Sequence, residues 1–174
     1  MVCKCKVDPE ESLTTSAECC SNEPLTVLVK YHFPDLPEIE EIAEGDWIDL
    51  RAAEEVTLMQ WEYYTVSLGI SMEIPEGYEL HLAPRSSTFK NFGVIQTNSV
   101  GVIDRSYSSD KDIIKMPVLA IRDTKINFGD RICQFRILPK QPKLNLVKVD
   151  KLNNKERGGF GSTGINTFEK PTKD

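Results

Sequence analysis

The chain of 174 residues, 40% hydrophobic and 28% charged, has the composition of one soluble globular domain with length to spare for terminal arms. Its apolar runs are too short to cross a bilayer, and no charged start followed by an apolar stretch marks a secretory signal. Lys and Arg total 21 against 27 Asp and Glu, a net charge of −6, which disfavours nucleic-acid binding but leaves a small phosphorylated ligand open.

Residues 1–23 are rich in Glu, Ser, Thr and Cys without periodicity and are expected to form a flexible arm. Cys3, Cys5, Cys19 and Cys20 could offer four thiolates to zinc, but the segment between them lacks the spacing of a structural zinc finger, so a reduced arm is the simpler reading. Cys133 lies alone in an apolar stretch and reads as a small buried hydrophobe.

Alternation predicts a first strand over Leu25–Phe33, ended by Pro34-Asp-Leu-Pro37. From Trp47 onward short β-type runs recur, at 56–59, 63–70, 78–82, 94–95, 100–103, 113–121, 132–138 and 144–149. Turn residues at Pro75-Glu-Gly77, Asn91-Phe-Gly93 and Asn127-Phe-Gly129 separate them. One short helix is expected after Arg85, with the hydroxyls of Ser86-Ser87-Thr88 as N-caps. Many short strands without a long helical period predict an all-β barrel or sandwich over 24–152, followed by a glycine-rich arm over 153–174.

Four stretches carry chemistry. In Arg157-Gly-Gly-Phe-Gly-Ser-Thr-Gly164, glycines free main-chain N–H groups for an anion and Arg157 offers a fork, so the stretch is either a phosphate cradle or a flexible tail. Ala83-Pro-Arg-Ser-Ser87 places Arg85 and two hydroxyls at a strand end, either for a phosphate chain or as a capped turn. Asn98 to Tyr107 puts a glycine in a β-hairpin where a planar ligand could approach. There Asp104 is either a general base or a turn residue, and Tyr107 either a platform for a sugar or a core residue. In Gly129-Asp-Arg-Ile-Cys-Gln134, a glutamine among apolar strand residues needs a partner, either ligand or backbone.

Taken in order together with Gly45–Glu54, these four stretches resemble the five motifs of the trimeric dUTP pyrophosphatases, the dUTPases. Gly45-Asp-Trp-Ile-Asp49-Leu-Arg-Ala-Ala-Glu54 resembles the first motif and Pro84-Arg-Ser-Ser87 the second. Asn98–Tyr107, Gly129–Gln134 and Arg157–Gly164 resemble the third, fourth and fifth. The likeness covers Glu44 to Gly164 and is strongest to dUTPases of Bacillus and its phages. It implies a distorted jelly-roll β-barrel with a flexible C-terminal arm, assembled as a homotrimer with shared active sites. It implies hydrolysis of dUTP to dUMP and pyrophosphate in a bacterial cytoplasm, host- or phage-encoded, with Mg²⁺ carried by the triphosphate. That activity would limit uracil incorporation into DNA and supply dUMP for dTMP synthesis.

By the same resemblance, Asp104 would activate the water, and Tyr107 would lie under the deoxyribose and reject a 2′-hydroxyl. Asn98 and the backbone of Gly101, Val102 and Ile103 would read uracil. Arg85, Ser86, Ser87 and Gln134 would hold phosphates and water. Arg157, Gly161 and Ser162 would close on the phosphates, with Phe160 as a lid on the base. Phe92 or Phe89 is the alternative lid, because Arg157 stands only three residues before Phe160. Asp49 would meet the metal through water only. A dCTP deaminase shares the barrel and the Arg-Ser-Ser motif but needs a catalytic Glu in place of the Asp104 hairpin. A regulatory binding module on the same fold is the other alternative.

Overall fold

The computed structural model describes residues 24–41, 45–156 and 158. Its strands fall where side chains alternate between apolar and polar, since successive residues of a strand face opposite sides. The first is β1 (Leu28–Tyr31), followed by β2 (Ile48–Arg51), β3 (Val56–Leu58), β4 (Tyr63–Ser67), β5 (Ile70–Glu73) and β6 (Tyr78–Pro84). After helix α1 (Thr88–Phe92), the one helix among the described residues, come β7 (Val94–Gln96), β8 (Gly101–Ile103), β9 (Lys115–Ala120), β10 (Thr124–Ile126) and β11 (Arg131–Pro139). All ladders are antiparallel and make four small sheets, in the orders β1-β5, β10-β3, β2-β11-β6-β8 and β4-β9-β7. This is the expected distorted β-barrel, closed around Leu50, Leu58, Ile70, Met72, Leu80, Leu82, Met116, Val118 and Ile132. Truncating any one of the larger of these to Ala is of the kind that costs about 2–5 kcal/mol.

The run expected over 63–70 is two strands with different partners. Gly69 takes φ +66°, where a Cβ would meet the Ala53 Cβ at 2.4 Å. The chain therefore turns at Gly69, leaving β4 on β9 and sending β5 to β1. Leu68 and Gly69 hold the turn by donating and accepting across it, Leu68 N to Ile114 O at 3.0 Å and His32 N to Gly69 O at 2.9 Å.

The helix is present but capped differently from the expectation. Ser87 sits at the N-cap without a side-chain cap bond. The working hydroxyl is Thr88, almost fully buried, whose Oγ1 accepts from Arg85 N at 2.9 Å and donates to Ile132 O at 2.8 Å. It thus fastens the end of β6 to β11. Gly93, at φ +61°, ends the helix in the left-handed conformation.

The chain divides into two compact units, Met1–Lys140 and Gln141–Asp174. In the second, the described residues 141–156 form no strand, so the strand expected over 144–149 is absent. Its alternation is real, yet Leu144, Leu146, Val147 and Val149 are exposed, and a strand exists only where another backbone accepts its hydrogen bonds. Among the described residues no helix is long and apolar enough to cross a membrane.

Candidate active site

One group of polar residues is built at the end of the four-stranded sheet. Register places Asp49 of β2, Gln134 of β11 and Ala83 of β6 side by side, so the two polar side chains share a face. Arg85 follows directly after β6. Its Nε donates to Asp49 Oδ1 at 2.7 Å and its Nη1 to Arg131 O at 3.3 Å. Gln134 Nε2 donates to Pro84 O at 3.1 Å, which answers the question of its partner with backbone. The Asp49 side chain is only 11% exposed, and Arg131 Nη1 stands 3.6 Å from its second oxygen. Two guanidinium groups thus neutralise one nearly buried carboxylate, and Arg85, 28% exposed, keeps part of its fork toward solvent. Ser86 is exposed and Ser87 half-buried beside it.

Arg131 was missed as a member of this group, although it stands inside the fourth motif stretch. A register shift between Arg131 and Cys133 breaks the β2–β11 ladder at this point. Such a bulge re-aims a side chain, here bringing Arg131 to Asp49 instead of continuing the alternation. The signal in the sequence was a second basic residue directly after the Gly129-Asp130 turn.

The second group lies on the hairpin around β8. Val102, Ile103, Asp104, Ser106 and Tyr107 line an open hollow of about 410 Å³ with Ile114 and Lys115, within the size range of small-ligand sites. Tyr107 is 41% exposed and not a core residue, and its hydroxyl donates to Ile113 O at 3.0 Å, which anchors the ring. Gly101 is buried, and a Cβ there would stand 3.3 Å from both Asn98 Nδ2 and Leu82 Cβ, a tight contact that one of these neighbours would have to relieve. Asn98 is exposed.

Asp104 Oδ1 accepts from Ser106 N at 2.7 Å and from the Ser106 hydroxyl. These bonds, the hydroxyl first, hold its carboxyl below the ordinary aspartate value of 3.8. Both land on Oδ1 and leave Oδ2 to a ligand or water. Because the lowered value favours the ionised form, the bond to Ser106 stabilises the native chain above the ordinary carboxylate range and is lost as pH falls through the lowered value. In Ser106→Ala the backbone bond remains while the hydroxyl is gone, so the titration of Asp104 followed by carboxyl carbon NMR is expected to move up toward 3.8. An unmoved titration would show that the hydroxyl has no hold on the carboxylate.

Asp104 and Arg85 do not meet within one chain, although Gly101 of the hairpin pairs with Leu82 close to Gln134. In the β6–β8 ladder Leu82 faces Gly101 and Leu80 faces Ile103, so Asp104, just past the end of β8, continues toward the Glu79 level of β6. Arg85 is at the other end of β6, separated from that point by roughly 20 Å of extended chain at about 3.3 Å per residue. Arg157, Phe160, Gly161 and Ser162 lie outside the described residues, as do residues 1–23 with their four cysteines. Of the alternative lid residues, Phe92 packs against the core and Phe89 is exposed on α1. Cys133 is fully buried, which pushes its thiol up and removes it as a nucleophile.

Among the described residues no three His, Cys, Asp or Glu side chains converge as a metal cage. The one fitting atom is Asp49 Oδ2, buried without a hydrogen-bond donor and able to accept from a coordinated water. That donor set suits a Mg²⁺ ion held mainly by substrate phosphates.

Fold and site together describe a small antiparallel β-barrel with a cationic anchor at one strand end and an ionised carboxylate in a hollow at the other. The comparisons with known proteins give this class a name. The dUTPase family model matches residues 47–164, and the chain belongs to the dUTPase family. It is 56% identical over 140 residues to the SPbeta prophage-derived deoxyuridine 5′-triphosphate nucleotidohydrolase YosS of Bacillus subtilis, covering 80% of this chain and 99% of that protein. Among solved structures it is similar to the Staphylococcus bacteriophage 80alpha dUTPase bound to dUPNHPP, with TM-score 0.67, 21% identity and coverage of 80% and 99%. It is also similar to the dUTPase of phage phi11 of S. aureus, a variant of which shows coordination of a structural Mg(II) ion, with TM-score 0.63, 20% identity and coverage of 73% and 99%.

Proposed function

We propose that the chain hydrolyses dUTP to dUMP and pyrophosphate at a site completed by a second copy of itself. The observation that carries the activity is the 56% identity with a dUTP nucleotidohydrolase over nearly its whole length. The geometry supports the division of labour. One copy offers the hairpin: Tyr107 as a platform for the deoxyribose, Asn98 and the backbone of 101–103 for the base, and Asp104 Oδ2 for the water. Another copy offers Arg85, Ser86, Ser87 and Gln134 to the phosphates, because roughly 20 Å of extended strand separates Asp104 from Arg85 inside a single chain.

In this reading the water oxygen forms a bond to the α-phosphorus while the α–β bridging bond breaks and pyrophosphate leaves. The water proton passes to Asp104 and then to solvent. Ionisation keeps Asp104 ready to accept it, and the triphosphate brought beside it raises its proton affinity during the reaction. Arg85 stabilises charge on the phosphates, with its second N–H bonds fixed by Asp49 and the Arg131 carbonyl. Magnesium would arrive with the triphosphate and neutralise charge developing on the leaving pyrophosphate. Phe160, Arg157, Gly161 and Ser162 would close over the site in the manner that the resemblance implies, excluding bulk water. The trimer is the assembly that fits three such shared sites.

Reaction in heavy-oxygen water tests the chemistry. The label is expected in dUMP and absent from pyrophosphate. Label in pyrophosphate would place the attack at the β-phosphorus and remove Asp104 from its proposed position.

A further inference from the structure

Gln96 is a buried polar residue that the site described above does not use. It ends β7, is 5% exposed, and its Nε2 makes two hydrogen bonds, to Leu82 O at 3.0 Å and to Asn98 Oδ1 at 2.9 Å. The first bond settles the second. A backbone carbonyl only accepts, so the Gln96 atom beside Leu82 O must be the amide nitrogen. That nitrogen has only hydrogens to give, so the Asn98 atom beside it must be the carbonyl oxygen. The orientation of both amides is therefore dictated by the Leu82 main chain. Asn98 has its acceptor occupied from within and its Nδ2 hydrogens left over, on a residue that is exposed at the mouth of the hairpin. Gly101 reinforces this arrangement, since its missing Cβ would press on Asn98 Nδ2 at 3.3 Å.

We propose that Gln96 is a positioning residue for base selection: by fixing the Asn98 amide with its donor outward, it makes the site favour uracil over cytosine. The proposal rests on the reading of the Asn98–Ile103 hairpin as the base site. Uracil carries a carbonyl oxygen at the ring position where cytosine carries an amino group. An outward amide donor matches the carbonyl and faces the amino group donor to donor, a mismatch that leaves a polar group unpaired. A free asparagine would turn over and accept from cytosine equally well. Gln96 removes that option without touching the base.

Gln96→Met keeps the length of the side chain and removes both donated bonds. The probes are the non-hydrolysable α,β-imido analogues of dUTP and dCTP. The ratio of their Kd values in favour of dUTP is expected to fall about fivefold or more in this variant, the loss of one hydrogen bond's worth of discrimination. In an Asn98→Ala background the same substitution is expected to leave the ratio where it was. A purely structural role would weaken both analogues alike and keep the ratio, and that result overturns the proposal; so does an equal fall in the Asn98→Ala background. If Gln96→Met does not fold, the wild-type chain is read by NMR. Both Gln96 amide hydrogens are expected to exchange slowly with water and one Asn98 amide hydrogen to shift with the dUTP analogue but not with the dCTP analogue. Fast exchange of a Gln96 hydrogen, or equal Asn98 shifts, would overturn it. A wild-type chain that binds neither analogue would defeat the base-site reading itself and the inference with it. Binding with an unchanged ratio defeats the inference alone.

Discussion

Asp104→Asn is expected to lower kcat for dUTP by about 10²–10⁴-fold, the range for removal of a positioned general base, while an α,β-imido analogue still binds. The substitution is nearly isosteric, and the remaining carbonyl oxygen can still accept from Ser106 N and its hydroxyl, so the turn keeps its shape. What disappears is the negative charge and the free Oδ2 that takes the water proton. Pyrophosphate release measures the rate and calorimetry the binding. Normal hydrolysis by this variant would show that another group activates the water.

A site shared between copies, as proposed above, makes a second large effect. Arg85→Gln is expected to be nearly inactive because the phosphates lose their anchor and Asp49 is left to Arg131. Asp104→Asn is nearly inactive for the reason above. Mixed one to one and allowed to exchange subunits, the two variants are expected to recover about one quarter of wild-type activity. Half the hairpins are then intact, half the anchors are intact, and random assortment pairs intact with intact at about a quarter of sites. If each site lay within one chain, every copy would carry a lesion and mixing would recover nothing.

Much of the barrel was legible because burial imposes a period of two on strands such as β6 and β9, and Gly and Pro mark their ends. What escaped was whatever depends on a partner distant in sequence. The turn at Gly69 is set by its packing on Ala53, and residues 144–149 alternate without forming a strand. Thr88 displaced Ser86 and Ser87 as the useful hydroxyl because Ile132, far along the chain, receives its proton. In the site, Arg85, Gln134 and Asp104 were readable as residue types in suggestive settings. Arg131 and Gln96 were not, since each acts through a residue that a bulge or a neighbouring strand brings beside it. The proposed division of the site between copies was implied by the motif resemblance, and the β6–β8 register, which keeps Asp104 and Arg85 apart, supports it.

The most direct test of the central claim is pyrophosphate release by the wild-type chain with dUTP, dCTP, dTTP and UTP measured side by side in Mg²⁺. The expected result is turnover of dUTP far above the other three, with UTP rejected at Tyr107 and dCTP at Asn98. Comparable turnover of all four, or ammonia released from dCTP, would contradict it.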